Sequence, residues 1–230
     1  RSDGAGNFGA PTYLTVASAP PASNRSVSIM GMTVADFDGD GKLDLVASAS
    51  IGGGSTGNLV FFKGHGDGTF ANPVGIVEDV VGDLVAADFN GDGKLDLACG
   101  DGHVLFGDGA GAFALQPDTR FDAGRLASAD FDNDGHVDLA IVALAGDGSP
   151  IHVWRGDGSG HFARVDPGYG TGYGTGSADL VVTDLDGDGN ADLVVGASGD
   201  GLYGPGINSQ GQTQFLLGRE ISGKDQVLSR

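Results

Sequence analysis

The chain has 230 residues with 31 acidic against 12 basic side chains, a net charge of −19, 44 glycines and 1 cysteine. That balance weighs against a nucleic-acid partner, because phosphate backbones need basic surface, and the lone Cys99 excludes an intrachain disulfide framework. No run approaches the roughly 18 apolar residues of a membrane span, so no membrane insertion is expected, and the length suits one or two domains.

Taken in chain order, the first recognisable piece is Asp3-Gly-Ala-Gly-Asn-Phe8, a Gly-rich turn ending in an aromatic. A strand over Thr12 to Ala17 is predicted to follow it, as the outer strand of a preceding unit. At 36–44 comes D-F-D-G-D-G-K-L-D, with carboxylates at positions 1, 3 and 5 separated by small residues. A tight turn can gather these oxygens around one centre. A hard cation with oxygen ligands requires that arrangement, and calcium is its usual occupant. The predicted ligands are the side chains of Asp36, Asp38, Asp40 and Asp44, with the backbone carbonyl of Lys42 at position 7. The glycine at position 6 permits a backbone that bulkier residues resist.

The same loop recurs at 88–96, 130–138 and 184–192. Its ligands there are Asp88, Asn90, Asp92, Lys94 (carbonyl) and Asp96; then Asp130, Asp132, Asp134, His136 (carbonyl) and Asp138; then Asp184, Asp186, Asp188, Asn190 (carbonyl) and Asp192. Asn90 substitutes a neutral amide oxygen, a legitimate calcium ligand of lower charge. The four loops hold 15 of the 31 acidic residues, so the acidity is mostly ion-site chemistry, with about four calcium ions, one per loop.

An EF-hand shares the opening of this motif but needs a bidentate Glu at position 12 and flanking helices. Position 12 is Ala47, Cys99, Ile141 and Val195. The run after each loop (Leu43-Asp-Leu-Val-Ala, Leu95-Asp-Leu-Ala-Cys, Val137-Asp-Leu-Ala-Ile-Val, Ala191-Asp-Leu-Val-Val) is short, branched and soon broken by Gly or Ser, which predicts a strand. Between the loops a second motif repeats: Gly64 to Phe70, Gly107 to Phe113 and Gly156 to Phe162, each a Gly-rich turn after an apolar strand. One unit is therefore strand, acidic loop, strand, connection, strand, Gly-rich hairpin turn and an outer strand opened by Phe. Four strands in about 40–55 residues is the size of a propeller blade.

The expected fold is all-β, with propeller blades of four antiparallel strands and a calcium loop in each blade. Four repeats are visible, at 24–77, 78–122, 123–172 and 173–222, after a partial one at 1–23 that supplies the extra N-terminal strand. A-D-F-D-G-D-G-K-L-D-L-V at 35–46 and A-D-F-N-G-D-G-K-L-D-L-A at 87–98, each with its Gly-rich turn, resemble the FG-GAP/VCBS repeats of calcium-binding β-propellers. That family includes the integrin α-subunit head, a fungal lectin of the Psathyrella velutina type and many secreted bacterial proteins. The resemblance implies fold and metal and leaves the ligand open. The fourth repeat departs from it, keeping Phe215 but losing most of the Gly-rich turn. Four blades and a spare strand do not obviously close a ring. A piece of a larger propeller, such as one of seven blades, is favoured over unusual closure or assembly from two chains.

Little else in the sequence points to chemistry. The five histidines are scattered and read as turn or sheet-face residues. Cys99 reads as a buried thiol and Trp154 as core packing at the place of Phe62 or Phe106. Arg155-Gly-Asp157 spells an integrin-recognised tripeptide, but Gly156 and Asp157 belong to the hairpin motif. No nucleophile elbow, zinc spacing or phosphate loop appears, so the chain is not expected to be an enzyme. Tyr169 and Tyr173, on a Gly/Thr tract leading into the fourth blade, could offer flat rings to a sugar or peptide.

Three functions are weighed: an extracellular binding module for a glycan or protein ligand, an accessory propeller of a secreted polysaccharide-degrading enzyme, and a structural repeat of a large surface protein. The first is preferred. Sites built from one short loop fill at extracellular calcium concentrations, about 10⁻⁴ to 10⁻³ M. That places the chain outside the cell, secreted, on the cell surface or in a periplasm.

Overall fold

The computed structural model describes residues 13–14, 27–51, 57–143, 151–165, 178–185, 187, 189–197 and 213–216. Every helix or strand among them is a strand, in the order the acidic loops dictate. Strand β1 (Val27–Ala35) enters the first loop and β2 (Asp44–Ile51) leaves it; β3 (Gly57–Phe62) leads to the Gly-rich turn and β4 (Val74–Glu78) follows. The second unit repeats this as β5 (Leu84–Ala87), β6 (Asp96–Cys99), β7 (His103–Gly107) and β8 (Phe113–Arg120). The third comprises β9 (Gly124–Ala129), β10 (Asp138–Ala143), β11 (Ile151–Gly156) and β12 (Phe162–Val165). The fourth contributes β13 (Ala178–Thr183), β14 (Asp192–Ala197) and β15 (Thr213–Leu216).

Each unit is its own antiparallel meander, of four strands in the first three and three described strands in the last. These are the blades of a propeller-like fold. No described helix is long and apolar enough to cross a membrane. Residues 12–17, where an extra strand was predicted, lie outside the described residues apart from Tyr13 and Leu14, and neither is in a strand.

One sequence alignment needs correction. Phe215 was matched to the aromatic that closes the Gly-rich turn. In the fold it lies on β15, the third strand: Leu193 pairs with Leu216 just as Leu45 pairs with Phe62 in the first blade. The connection before it is long, and the strand a residue joins is set by cross-strand pairing rather than by its distance from the loop.

The core sits between blades. Phe37, Val46, Leu59 and Phe61 of the first blade close against Leu84, Leu97, Cys99 and Leu105 of the second. Phe89, Ala98 and Val104 then meet Leu126, Leu139 and Ile141 of the third, with Trp154 and Phe162 at the margin. Phe131, Ala140, Ile151 and Val153 meet Leu193 and Val195 of the fourth. Burial on both faces explains why the strands after the loops read as near-continuous apolar runs rather than alternating ones. The aromatics repeat one contact: Phe37 of the first loop lies edge-on to Phe113 of the next blade at 5.6 Å, and Phe89 to Phe162 at 5.6 Å.

Blades follow one another through their innermost strands, β1 against β5, β5 against β9 and β9 against β13, and no comparable packing joins β13 to β1 among the described residues. The two end faces show it. Leu84 and Leu126 are 5% and 6% exposed, whereas Met32, at the equivalent place on β1, is 61% exposed. At the other end Leu185, the fourth counterpart of the buried Phe37, Phe89 and Phe131, is 49% exposed.

Leu139, wholly buried between the second and third blades, should be costly to truncate. Leu139→Ala is expected to lower stability by about 2–5 kcal/mol in denaturant unfolding, while the half-exposed Leu115 tolerates the same change with little effect.

Candidate metal centres

Each acidic loop is first a backbone device. The aspartate at position 1 accepts from amides further round the turn: Asp36 from Asp40 at 3.1 Å and Gly41 at 2.8 Å, Asp88 from Gly91 at 2.8 Å and Gly93 at 2.8 Å, Asp130 from Gly135 at 2.9 Å. The position-5 side chain accepts from the amide two residues on, as Asp40 does from Lys42 at 3.0 Å and Asp134 from His136 at 2.8 Å. Such local side-chain to backbone bonds replace the ladder that the turn lacks. The chain can follow this path only because positions 4 and 6 take left-handed φ, as Gly39 and Gly41 do at 71° and 80°. Position 4 was a signal that sequence reasoning passed over; in the third loop Asn133 fills it at φ 59°, a conformation asparagine tolerates better than most residues.

The aspartate at position 9 does something the sequence did not suggest. Asp44, Asp96 and Asp138 are fully buried. One oxygen of each accepts the amide of the loop phenylalanine: Phe37 at 3.1 Å, Phe89 at 3.0 Å, Phe131 at 2.9 Å. The other accepts the amide of the glycine that opens the hairpin turn: Gly64 at 2.7 Å, Gly107 at 2.9 Å, Gly156 at 2.9 Å. In the fourth blade Asp192 accepts from Leu185 at 2.7 Å. Burial raises Asp96 and Asp138 to about 6, against the pull of these amides, and the neighbouring loop carboxylates add to the rise.

Carboxylate oxygens of Asp36, Asp38 and Asp44 lie within 4.8 Å of one another, as do those of Asp130, Asp132 and Asp138. An all-oxygen set of three carboxylates suits a hard divalent cation such as calcium or magnesium and offers no soft ligand for a transition metal. The structure thus brings together positions 1, 3 and 9 and leaves the position-5 carboxylates of Asp40 and Asp134 outside both clusters. In the second loop Asp88, Asn90, Asp92 and Asp96 follow the same path. In the fourth, Asp186 and Asp188 lie outside the described residues, as do Tyr169 and Tyr173.

Basic side chains already reach the clusters. The Lys63 ammonium bonds Asp38 and lies 3.1 Å from Asp40, whose other neighbour is the Lys42 ammonium at 3.2 Å. Arg155 Nε lies 3.1 Å from Asp132. Asp38 and then Asp40 hold the Lys63 pKa above its ordinary value, and Lys63 in turn is the chief cause of a lowered pKa at Asp40. These contacts resolve the Arg155-Gly156-Asp157 tripeptide. Arg155 faces the acidic loop, the Gly156 amide is bound inside, and Asp157 caps its own turn through Ser159 at 2.8 Å.

Other expectations come out as follows. Cys99 is buried, and burial pushes its thiol well up. Trp154 packs edge-on against Phe121 at 6.5 Å; its pairing with Leu139 matches that of Phe62 with Leu45 and of Leu105 with Leu97, so it stands at the place of Phe62 as expected but of Leu105 rather than Phe106. His152 is a sheet-face residue, and it is buried there on β11, with Nδ1 2.5 Å from Asp122 and Nε2 3.0 Å from Arg164.

An FG-GAP-like repeat model matches residues 88–141 and 130–195. An FG-GAP repeat model matches 30–62 and 175–216, so the two together span more than half of the chain. No curated protein sequence matches it. Among solved structures, the exotype rhamnogalacturonan lyase YesX aligns at 18% identity and a TM-score of 0.30, covering 86% of this chain and 35% of that one. The rhamnogalacturonan lyase PL11 of Bacillus licheniformis aligns at 18% identity and a TM-score of 0.26, covering 83% and 35%. The chain thus spans about a third of the length of both lyases, and at such TM-scores the likeness carries no argument about activity.

The pKa shifts give the ion-free protein a definite pH profile. Asp96 and Asp138 bind their protons more tightly when folded than at the ordinary 3.8, so their stabilising contribution is complete below about pH 4 and is lost as pH rises through 6. Asp40, Asp108 and Asp157 are held low, by Lys63, by the Ala110 amide and by the Ser159 hydroxyl respectively, so their contribution is lost as pH falls below the ordinary value. In chelator, unfolding free energy measured by denaturant should therefore peak near pH 4 to 5 and decline toward 7. A rise across that interval would contradict the assignment.

Proposed function

The chain belongs to the FG-GAP repeat proteins, and from that membership we propose that it is an extracellular, calcium-stabilised propeller module that binds a glycan or protein ligand and has no catalytic activity of its own. The observation that carries the calcium reading is the convergence of buried Asp44 with Asp36 and Asp38, and of buried Asp138 with Asp130 and Asp132. When bound, a calcium ion would supply positive charge to carboxylates otherwise held apart only by their own amide bonds and by a few basic side chains. The chain's own residues already shape the turn, position the donors and connect them to the next strand. The ion's role is therefore structural, and every loop that repeats belongs to the scaffold.

The ligand reading rests on the connections that do not repeat, the tract with Tyr169 and Tyr173 foremost. Glycan-array binding by this chain, lost on replacing both tyrosines by Ala while melting is unchanged, would support it. Hydrolysis or elimination of a polysaccharide by this chain alone would overturn the non-catalytic part.

A second reading concerns the ring, and it is favoured by the two end faces. Leu185 occupies the position that in other blades meets the hairpin Phe of the following blade, while Phe70 is a hairpin Phe and Met32 an innermost-strand residue with no described preceding blade. The ends are two halves of the interface that the chain builds between its own blades. We infer that further blades continue the arc, either as the rest of a larger propeller or from a second chain. Leu185→Glu should leave a monomer unaffected and should split a two-chain ring in sedimentation.

Calcium removal tests the main proposal. Binding at ten times Kd contributes about 1.4 kcal/mol per site, so EGTA should lower the melting temperature by about 10 °C or more for several sites together. Asp36→Ala should reduce the calcium stoichiometry, read by elemental analysis, by one ion. A melting curve indifferent to EGTA, or an unchanged stoichiometry, would refute the role given to calcium.

A further inference from the structure

The residue just before the hairpin glycine is Lys63 in the first blade, Phe106 in the second and Arg155 in the third. Its place is fixed: the next amide, of Gly64, Gly107 or Gly156, is bonded to the buried position-9 aspartate of the same blade. That bond holds the preceding residue beside the acidic loop. In the first and third blades, where position 3 of the loop is Asp38 or Asp132, the residue is a cation, and it pairs with that aspartate; the fourth loop has Asp186 at position 3 but Leu217 at the corresponding place in the sequence, so the pairing is a feature of those two blades. Where position 3 is the neutral Asn90, the residue is Phe106, whose ring lies against Gly160 of the next blade. The aspartates are well enclosed, with side chains 7% and 13% exposed, while Lys63 and Arg155 are 45% and 34% exposed. A free carboxylate so enclosed is costly, and the flexible cation above it removes that cost.

We propose that Lys63 and Arg155 are built-in counter-cations of the first and third ion loops, holding the position-3 aspartate in the ion-free protein and yielding it when a divalent cation binds. The inference rests on the calcium reading of these loops. Two consequences have opposite signs. The side chain stabilises the ion-free blade, since without it Asp38 or Asp132 would face the other carboxylates with no opposing charge, only the position-5 amide bonded to it. It also weakens calcium binding, since the ion must displace an existing charge pair and then bind beside a like charge. The two blades would thereby hold their shape at low calcium and load only at higher concentration.

The experiment compares the full chain with Lys63→Met, Arg155→Met and the double variant, with Lys63→Arg and Arg155→Lys as controls that keep the charge. Calcium alone is titrated by calorimetry, stoichiometry is read by elemental analysis, and melting is followed in EGTA. In the double variant two sites should tighten by about threefold to fivefold, the scale of a partly exposed ion pair, with stoichiometry unchanged. Its melting temperature in EGTA should fall by about 1–3 °C. The charge-keeping controls should stay near the parent values. Calcium affinity that is unchanged or weaker in the Met variants, or melting in EGTA that rises, would overturn the proposal while leaving the calcium sites standing. A parent chain that takes up no calcium would overturn both.

Discussion

The pair of hydrogen bonds accepted by the position-9 aspartate is the constraint on which the rest depends. Asp44, Asp96 and Asp138 each tie the start of an acidic loop, through the amide of its phenylalanine, to the hairpin that begins three strands into the same blade. A carboxylate with no water around it must satisfy its lone pairs within the protein. The bonds therefore fix the distance between loop and hairpin and carry the loop phenylalanine into the core. They also hold the remaining lone pairs where Asp36 and Asp38, or Asp130 and Asp132, can share a cation.

Packing follows from that anchor. Once Phe37 and Phe89 are pinned by their amides, they meet the hairpin phenylalanines of the next blade, Phe113 and Phe162, in the same edge-on geometry. Blade-to-blade contact is thus made by the residues that form the acidic loop and the turn. Loop geometry and inter-blade packing therefore share the same residues. Repeat folds depend on nearest-neighbour interfaces of this kind, and Met32 and Leu185, at the two ends of the described series of blades, are exposed where their counterparts are buried.

Charge is the opposing term. Clustered carboxylates in each loop repel one another, and the chain meets this in three ways: local amide bonds to positions 1, 3 and 5, protonation of buried Asp96 and Asp138 at mildly acid pH, and basic side chains from outside the loop. Lys63 directly follows β3 and Arg155 lies on β11, so their approach depends on the ladder pairing β2 with β3 and β10 with β11.

The division between sequence and tertiary structure falls along the range of the interactions. Local chemistry was legible from the sequence alone: the alternating aspartates, the glycines that allow left-handed φ, the branched runs after each loop and the Gly-rich turns together specified blades of antiparallel strands and the identity of candidate ion ligands. These features act within about ten residues, so one chain displays the acidic loop four times over and the full Gly-rich turn three times. What only the tertiary structure decided joins residues distant in sequence. The second task of the position-9 aspartates, the reach of Lys63 to Asp38 and of Arg155 to Asp132, the burial of His152 and the place of Phe215 on a third strand all depend on strand pairing across connections of variable length. A repeating sequence announces its units because each is made by short-range rules, whereas the contacts between elements are set by register and burial, which no single stretch contains.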